Sequence, residues 1–206
     1  MIRHFLAGAA LLACSLIFTP ALAAPTVGKP APDFTATDAL SGESVTLSEL
    51  KGKLVVLEWN NPLCPFVKKF YSVGAMQQLQ ANATGKGVVW ISINSNAPGK
   101  EGAMPTDADA QNFVTEKAAK PTYYLRDPDG TIGKQYEAKT TPHMFVIDRD
   151  GTLAYMGAID NTPTADSADI ATAKNYVTRA LTAVTNGKKP AVTATRPYGC
   201  FVKYAD

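Results

Sequence analysis

Cysteine, net charge and long apolar runs are all scarce in this sequence. Cysteine occurs only at positions 14, 64 and 200 of a chain of 206 residues. The formal net charge of +2 is too small to indicate a protein that binds nucleic acid or an acidic membrane surface. Outside the N-terminal segment no stretch is apolar enough to cross a bilayer, and there is no internal repeat. These absences leave a globular protein with few residues suited to chemistry.

Residues 1–23 carry the three-part pattern of a secretory signal peptide. A short basic start at Arg3 precedes an apolar stretch, and the sequence ALA at residues 21–23 forms a small-residue cleavage motif. A membrane anchor is one alternative, although a proline and the cleavage motif follow the apolar stretch directly. A second alternative is lipoprotein cleavage within LLAC, which would leave Cys14 lipid-modified. We expect the signal peptide, and therefore export to the periplasm or secretion.

Removal of the signal peptide changes the cysteine count. Cys64 and Cys200 then remain as an even pair in an oxidising compartment. The remaining chain of about 180 residues can bury one substantial core, so a single domain is expected. We predict that this domain spans residues 24–188 and that residues 189–206 form a C-terminal tail, which carries the second cysteine.

Patterns of apolar residues predict strands and helices in alternation. The run KLVVLEW at residues 53–59 has the length of a strand and is apolar enough to be buried on both faces. Further strands are predicted at residues 34–37, 44–47, 87–94, 122–127, 143–148 and 152–157, and helices at residues 65–81, 106–117, 130–137 and 166–185. Parallel strands joined through helices and finished by a hairpin predict an α/β protein, with a central mixed sheet and helices on both faces.

The segment WNNPLCPFVKK places Cys64 where a helix begins. Pro65 suits the first helical position, because its missing N–H would have no partner there. The helix N–H groups and the positive end of the helix dipole favour a thiolate, and Lys68 and Lys69 add positive potential if they point towards the sulfur. A thiolate attacks a disulfide sulfur or a peroxide oxygen. Cys64 is therefore the candidate nucleophile.

The segments VVLEWNNPLCPFVKKFY and TTPHMFVID together resemble the thioredoxin fold, over residues 27–187. Thr141 and Pro142 match the cis-proline loop that faces the active cysteine in that fold. Within the superfamily the chain resembles the alkyl hydroperoxide reductase/thiol-specific antioxidant branch, specifically peroxiredoxin-like proteins with NPxCPFVKK and a late GCxxK element. The resemblance implies a thioredoxin-like (redoxin) domain with antioxidant thiol chemistry, and no organic cofactor or metal.

The resemblance also implies roles for residues around Cys64. Glu58, six residues earlier at the end of a strand, would be a buried acid that assists proton transfer, unless it is an ordinary glutamate that reaches solvent or Lys68. Thr141 and Pro142 would shape the site for a bound peptide or oxidant. His143 would lie near the sulfur, unless it is an exposed residue at the start of a strand.

Three positions depart from the family pattern. Val67 stands where thioredoxins carry a second cysteine, which excludes a local dithiol. Asn61 stands where typical peroxiredoxins place Thr or Ser, and Pro142 where they place an arginine, and both of those groups polarise the peroxide O–O bond. We expect Asn60 and Asn61 to donate hydrogen bonds to a bound oxidant in part compensation, or else to be turn residues.

Cys200, in the segment RPYGCFVKYAD, is the candidate second thiol. Gly199 allows a close backbone approach, and a flexible tail can swing over the active face. A thiol beside an oxidised Cys64 condenses with its sulfenic acid to form a disulfide. A thioredoxin-type or other thiol reductant would then reset the pair. The expected substrate is a peroxide or a disulfide-containing client protein.

Two alternatives to this redox mechanism remain open. Cys64 and Cys200 could form a static disulfide that fastens the tail to a non-catalytic domain, as is common in exported proteins. Alternatively, the two thiols and His143 could bind Cu(I), since soft thiolate and imidazole ligands suit that ion.

Overall fold

The computed structural model describes residues 24–205. The predicted signal peptide at residues 1–23 and the alternative lipid attachment at Cys14 lie outside the described residues. Within residues 24–205, no helix combines the length and the apolar composition that crossing a membrane requires.

A five-stranded mixed sheet forms the centre of the fold. Nine strands occur in the described residues: β1 (Thr35–Thr37), β2 (Ser44–Thr46), β3 (Val55–Trp59), β4 (Val89–Asn94), β5 (Tyr123–Arg126), β6 (Thr140–Thr141), β7 (His143–Ile147), β8 (Leu153–Gly157) and β9 (Cys200–Phe201). The sheet has the order β5-β4-β3-β7-β8, in which β3, β4 and β5 are parallel and β7 and β8 are antiparallel to their neighbours. The apolar run of β3 therefore occupies the middle of the sheet, where both of its faces are buried.

Helices and a hairpin cover the two faces of this sheet. The α-helices within residues 24–205 are α1 (Pro65–Tyr71), α2 (Ala75–Thr84), α3 (Asp107–Glu116), α4 (Thr131–Gln135) and α5 (Tyr176–Thr185), and Leu47–Leu50 forms a 3₁₀ helix. Successive strand residues point to opposite faces, so Val56 and Trp90 pack with α1, α2, α3 and α5 in one core. Leu57 and Ile91 pack with α4 and the β1–β2 hairpin in the other. The predicted α/β fold, with a central mixed sheet and helices on both faces, is confirmed.

Two predicted helices are wrong in extent. The helix predicted at residues 65–81 is broken in two, because Gly74 adopts the left-handed conformation with φ of 75° and α2 starts after it. The helix predicted at residues 166–185 begins as a short 3₁₀ helix at Ser167–Ala171, and α5 starts only at Tyr176. There the side chain of Asn175 accepts a hydrogen bond from the Thr178 N–H and caps the new helix.

The C-terminal tail packs against the domain. Its Thr195 N–H donates to the Met156 carbonyl of β8, and its Oγ1 accepts from the Ala158 N–H. The tail passes so close to Gly157 that a Cβ there would lie 2.3 Å from the Thr195 side chain. Further along, β9 pairs with β6 in antiparallel register. The tail that the sequence suggests could swing is therefore docked in this structure.

Candidate active site

Cys64 and Cys200 lie against each other at the start of α1. Cys64 is the residue that precedes the first turn of the helix, and only 2 % of its surface is exposed. Its Sγ–H donates to the Thr141 carbonyl at 3.1 Å, and the Cys200 backbone N–H donates to its Sγ at 3.4 Å. Both cysteines are free thiols. The fold thus brings together two cysteines that are 136 positions apart in the chain.

Asn61 builds the turn that delivers Cys64 to the helix start. Its carbonyl accepts from the Cys64 N–H at 3.1 Å, and its side-chain Oδ1 accepts from the Leu63 N–H at 2.9 Å. Its Nδ2 donates to the Glu101 carbonyl at 3.5 Å. The neighbouring Asn60 uses its own amide to donate to Glu58 and to accept from a tyrosine hydroxyl. Both amides that were expected to face an oxidant are engaged with the protein.

The loop of Thr141 and Pro142 forms the opposite wall of the site. The peptide bond between them is cis, and Thr141 pairs with Cys200 across β6 and β9. Gly199 has a φ of 127°, and a Cβ at this position would lie 2.0 Å from the Thr141 carbonyl oxygen. Only glycine permits this approach. The backbone of Thr141, expected to be available to a peptide, is engaged by the chain's own tail.

The environment of Cys200 keeps its thiol protonated. Burial, followed by the hydrogen bond and the charge of Cys64, raises the pKa of the Cys200 thiol to about 12. Lys203 opposes this shift and Glu101 adds to it. Cys200 is therefore a neutral thiol near pH 7. It loses its proton only when a base accepts it or when its surroundings change.

Glu58 is fully buried and accepts hydrogen bonds from five side chains. The donors to its two oxygens, at 2.8–3.1 Å, are Asn60, Tyr71, Gln80, Trp90 and Ser92. Burial, followed by the charge of Glu58, raises the pKa of Tyr71 well above its ordinary value, so its hydroxyl remains a donor. Within residues 24–205, no hydrogen bond joins Glu58 directly to Cys64. The sequence predicted neither the number nor the origin of these donors.

His143 is buried at the start of β7 rather than exposed. Its Nδ1 accepts from the Lys139 N–H at 3.3 Å, and its ring packs on Phe145 with centroids 4.5 Å apart. Burial, with a smaller effect of the Lys139 charge, lowers the pKa of His143 to about 3. The imidazole is therefore neutral at physiological pH. Among the described residues no cluster of three His, Cys, Asp or Glu side chains could hold a metal, so His143 and the two cysteines do not form the copper site considered above.

The two lysines that follow Cys64 in α1 have different environments. Lys68 is exposed, whereas Lys69 is buried and its Nζ lies 3.0 Å from the Thr162 carbonyl and 4.0 Å from the Asp160 carboxylate. Tyr198 of the tail donates its hydroxyl to the same carboxylate. The sequence offered no signal for Asp160, because its partners lie far away in the chain.

A groove of about 960 Å³ runs beside the tail, and its lining includes Gly199 and Phe201, the two neighbours of Cys200 in the chain. Its walls include His143, Met156, Asp160 and Tyr198, and Phe201 stands at its edge with 74 % of its surface exposed. An exposed phenylalanine directly after Cys200 provides apolar surface beside the thiol pair.

A family model and a known protein both match this chain. The model of the AhpC/TSA family matches residues 27–156. Peroxiredoxin-2 of Bos taurus is 32 % identical over 159 residues, which cover 69 % of this chain and 73 % of that protein.

Three solved structures are also similar. A hypothetical protein from Sinorhizobium meliloti 1021 has a TM-score of 0.70 with 27 % identity, covering 87 % of this chain and 95 % of that one. An uncharacterised conserved protein from Geobacillus kaustophilus has a TM-score of 0.70 with 26 % identity, covering 87 % and 93 %. A protein from Chlorobium tepidum described as a thiol:disulfide interchange protein DsbE has a TM-score of 0.51 with 26 % identity, covering 64 % and 84 %.

Proposed function

The chain belongs to the thioredoxin-fold AhpC/TSA family, and on that premise we propose that it is an exported thiol oxidoreductase in which Cys64 is the nucleophile and Cys200 the second thiol. The observation that carries this proposal is the contact of the Cys200 N–H with the Cys64 sulfur at 3.4 Å. It is supported by the high pKa of Cys200, which leaves the nucleophilic role to Cys64.

Thiol-disulfide exchange with a client protein is the reaction that the geometry supports best. The Cys64 thiolate attacks one sulfur of the client disulfide, which forms a mixed disulfide and releases the other client sulfur as a thiolate. Cys200 then gives up its proton and attacks the Cys64 sulfur. This step forms the Cys64–Cys200 disulfide and releases the second client thiol. A thioredoxin-type reductant with two thiols returns the pair to its reduced form while its own thiols are oxidised.

Reduction of a peroxide is the second candidate, favoured by the similarity to peroxiredoxin-2. Here the Cys64 thiolate attacks a peroxide oxygen and the O–O bond breaks, which gives a sulfenic acid and an alcohol or water. Cys200 attacks the sulfenic sulfur and water leaves. The site offers little to polarise the O–O bond, since the side-chain amides of Asn60 and Asn61 already donate to Glu58 and to the Glu101 carbonyl, and Thr141 presents an acceptor to the sulfur. We therefore expect slow peroxide turnover.

The other candidate residues have supporting roles in this proposal. Thr141 and Pro142 hold the strand edge on which Cys200 sits, and Asn61 holds the turn before Cys64. His143 lines the groove as a neutral group. Glu58 is proposed as the buried acid of the site, connected to α1 through the Tyr71 hydroxyl. Export rests on the N-terminal sequence pattern.

Oxidation of the reduced mature protein tests this function. We expect oxidised glutathione, and hydrogen peroxide more slowly, to remove both thiol hydrogens, with peptide maps that locate a Cys64–Cys200 disulfide and with reversal by a thioredoxin-type reductant. The variant Cys200→Ser should stop at the mixed disulfide on Cys64, whereas Cys64→Ser should leave Cys200 largely unreacted. A disulfide that is present from purification and resists the reductant would identify a static link, and thiols that are inert to both oxidants would contradict the proposal.

A further inference from the structure

The buried Lys69 and Asp160 and the half-buried Tyr198 form a cluster, the tail latch, outside the reacting sulfurs. The side chains of Lys69 and Asp160 are 0 % and 1 % exposed, and their charged atoms lie 4.0 Å apart. Asp160 Oδ1 accepts from the Tyr198 hydroxyl and from the Thr162 N–H. Asp160 Oδ2 accepts no hydrogen bond from the described residues and lies 4.0 Å from the Lys69 Nζ.

The latch joins three separate segments. Lys69 belongs to α1, the helix that begins immediately after Cys64, and Asp160 follows β8. Tyr198 belongs to the tail, two residues before Cys200. Its ring packs edge-on against Phe66 of α1, with centroids 5.8 Å apart. The helix that presents the nucleophile therefore also holds the tail that carries the second thiol.

The Tyr198 hydroxyl gives the tail its hydrogen bond to a buried charge. Burial, and next the neighbouring Asp160, raise the pKa of Tyr198 far above its ordinary value, so the hydroxyl keeps its proton and remains a donor. Hydrogen bonds to charged groups are about twice as strong as those between neutral groups. On the other side of Cys200, the tail is held by neutral contacts, such as the Val202 N–H with the Lys139 carbonyl and the Tyr204 hydroxyl with the Ala138 carbonyl.

The docked tail closes the site. Cys64 is 2 % exposed while the Cys200 backbone lies against its sulfur, so a client disulfide reaches Cys64 only after the tail moves away. We propose that Tyr198 is a positioning residue of the redox site, which acts through Asp160 and Lys69 to keep Cys200 on Cys64, and that opening of the tail latch admits the client. The proposal rests on the roles given above to the two cysteines.

Alkylation of the reduced mature protein, with its complete C-terminal tail, tests the tail latch. The rate at which iodoacetamide modifies Cys64, measured by peptide mapping, reports how often the tail opens. Tyr198→Phe keeps the ring against Phe66 and removes the hydroxyl, so we expect Cys64 to be modified about tenfold faster than in the wild type. A rate equal to that of the wild type would overturn the proposal.

Tyr136→Phe is the matched control. It removes the hydroxyl of a buried tyrosine, which donates to the Pro32 carbonyl at 2.6 Å and not to a group of the tail. We expect it to lower the melting temperature and to leave the Cys64 modification rate at the wild-type value. If both variants accelerate the modification equally, the effect comes from general destabilisation and the proposal fails.

A double-mutant cycle with Asp160→Asn tests whether Tyr198 acts through the buried carboxylate. We expect the combined variant to show the rate of Asp160→Asn alone, because the hydrogen bond to the charge is already weakened. Rates that multiply independently would contradict the path through Asp160. If Asp160→Asn does not fold, Tyr198→Phe and its control still decide the matter. These rates do not depend on disulfide formation, so a failed oxidation assay identifies a wrong function, and an unchanged Cys64 rate identifies a wrong latch.

Discussion

Two buried carboxylates contact side chains of α1 in opposite ways. Glu58 accepts hydrogen bonds from five neutral side chains, and the Tyr71 hydroxyl of α1 is one of them. Asp160 faces Lys69 of α1 at 4.0 Å, and one of its oxygens accepts no hydrogen bond from the described part of the chain. The donors to Glu58 come from the sheet, the residue after β3 and the helices around it, whereas one of the two donors to Asp160, the Tyr198 hydroxyl, comes from the tail.

This difference separates a fixed part of the site from a part that can open. A buried polar network whose members are all satisfied makes one arrangement rigid. Tyr198 donates to one oxygen of Asp160, whereas Lys69 faces the other oxygen. The ion pair therefore persists when Tyr198 moves away, and the open tail leaves no isolated buried charge. The Glu58 network therefore fixes the frame behind Cys64, and the tail latch controls what covers it.

Removal of the Glu58 charge is expected to have the largest effect on stability. In Glu58→Gln one oxygen becomes an amide donor, which faces either the donor pair of Asn60 and Tyr71 or the other three donors. At least two buried donors then lose their acceptor, so we expect the free energy of unfolding to fall by about 3 kcal/mol or more.

Urea denaturation of the reduced protein measures the effect of Glu58→Gln. The exchange rate of the still folded variant with oxidised glutathione gives a second readout. A loss of stability with an unchanged exchange rate would indicate a structural carboxylate, and a slower rate would support the proposed acid. A variant as stable as the wild type would break the comparison, because Glu58 would then not be the centre of a fixed network.

Tyr71→Phe gives a smaller effect and a direct contrast with Tyr198→Phe. Each variant removes one tyrosine hydroxyl that donates to a buried carboxylate. For Tyr71→Phe we expect a loss of about 2 kcal/mol in unfolding free energy, with no change in the alkylation rate of Cys64. For Tyr198→Phe we expect a smaller loss of unfolding free energy and a faster alkylation of Cys64. Equal effects on both measurements would show that the two carboxylates belong to one cooperative unit.

The sequence predicted the parts of this site that depend on local rules. Pro65 marks the start of a helix because of its missing N–H, so the position of Cys64 follows from its neighbours. Gly199 signals a close backbone approach, which the structure places against Thr141. The parallel strands and the final hairpin follow from apolar runs and turn residues in the same way.

The parts that depend on tertiary contacts could not be predicted in this way. Lys69 looks like any helical lysine, and its burial arises only because Asp160 arrives from a distant loop. The donors to Glu58 come from elements as separate as α2 and β4, and no spacing in the sequence connects them. Gly74 breaks a helix whose apolar pattern continues on both sides, so periodicity alone predicted one helix instead of two.

A third buried group, His143, makes the stability of the fold depend on pH. Its pKa is lowered to about 3 by burial, whereas an unfolded histidine titrates near 6.5. Between these values the unfolded chain binds a proton that the folded chain does not, so stability falls as the pH drops below about 6.5. From pH 7 to pH 5 we expect this group alone to remove about 2 kcal/mol.

His143→Asn isolates that contribution, since its side-chain oxygen can replace Nδ1 as the acceptor for the Lys139 N–H. The difference in unfolding free energy between pH 7 and pH 5, from urea denaturation at each pH, should shrink by about 2 kcal/mol in the variant. The pH dependence that remains in the variant then comes from the other titratable groups of the chain. An unchanged difference in His143→Asn would mean that the imidazole is protonated in the folded protein, and its place as a neutral group in the groove wall would have to be abandoned.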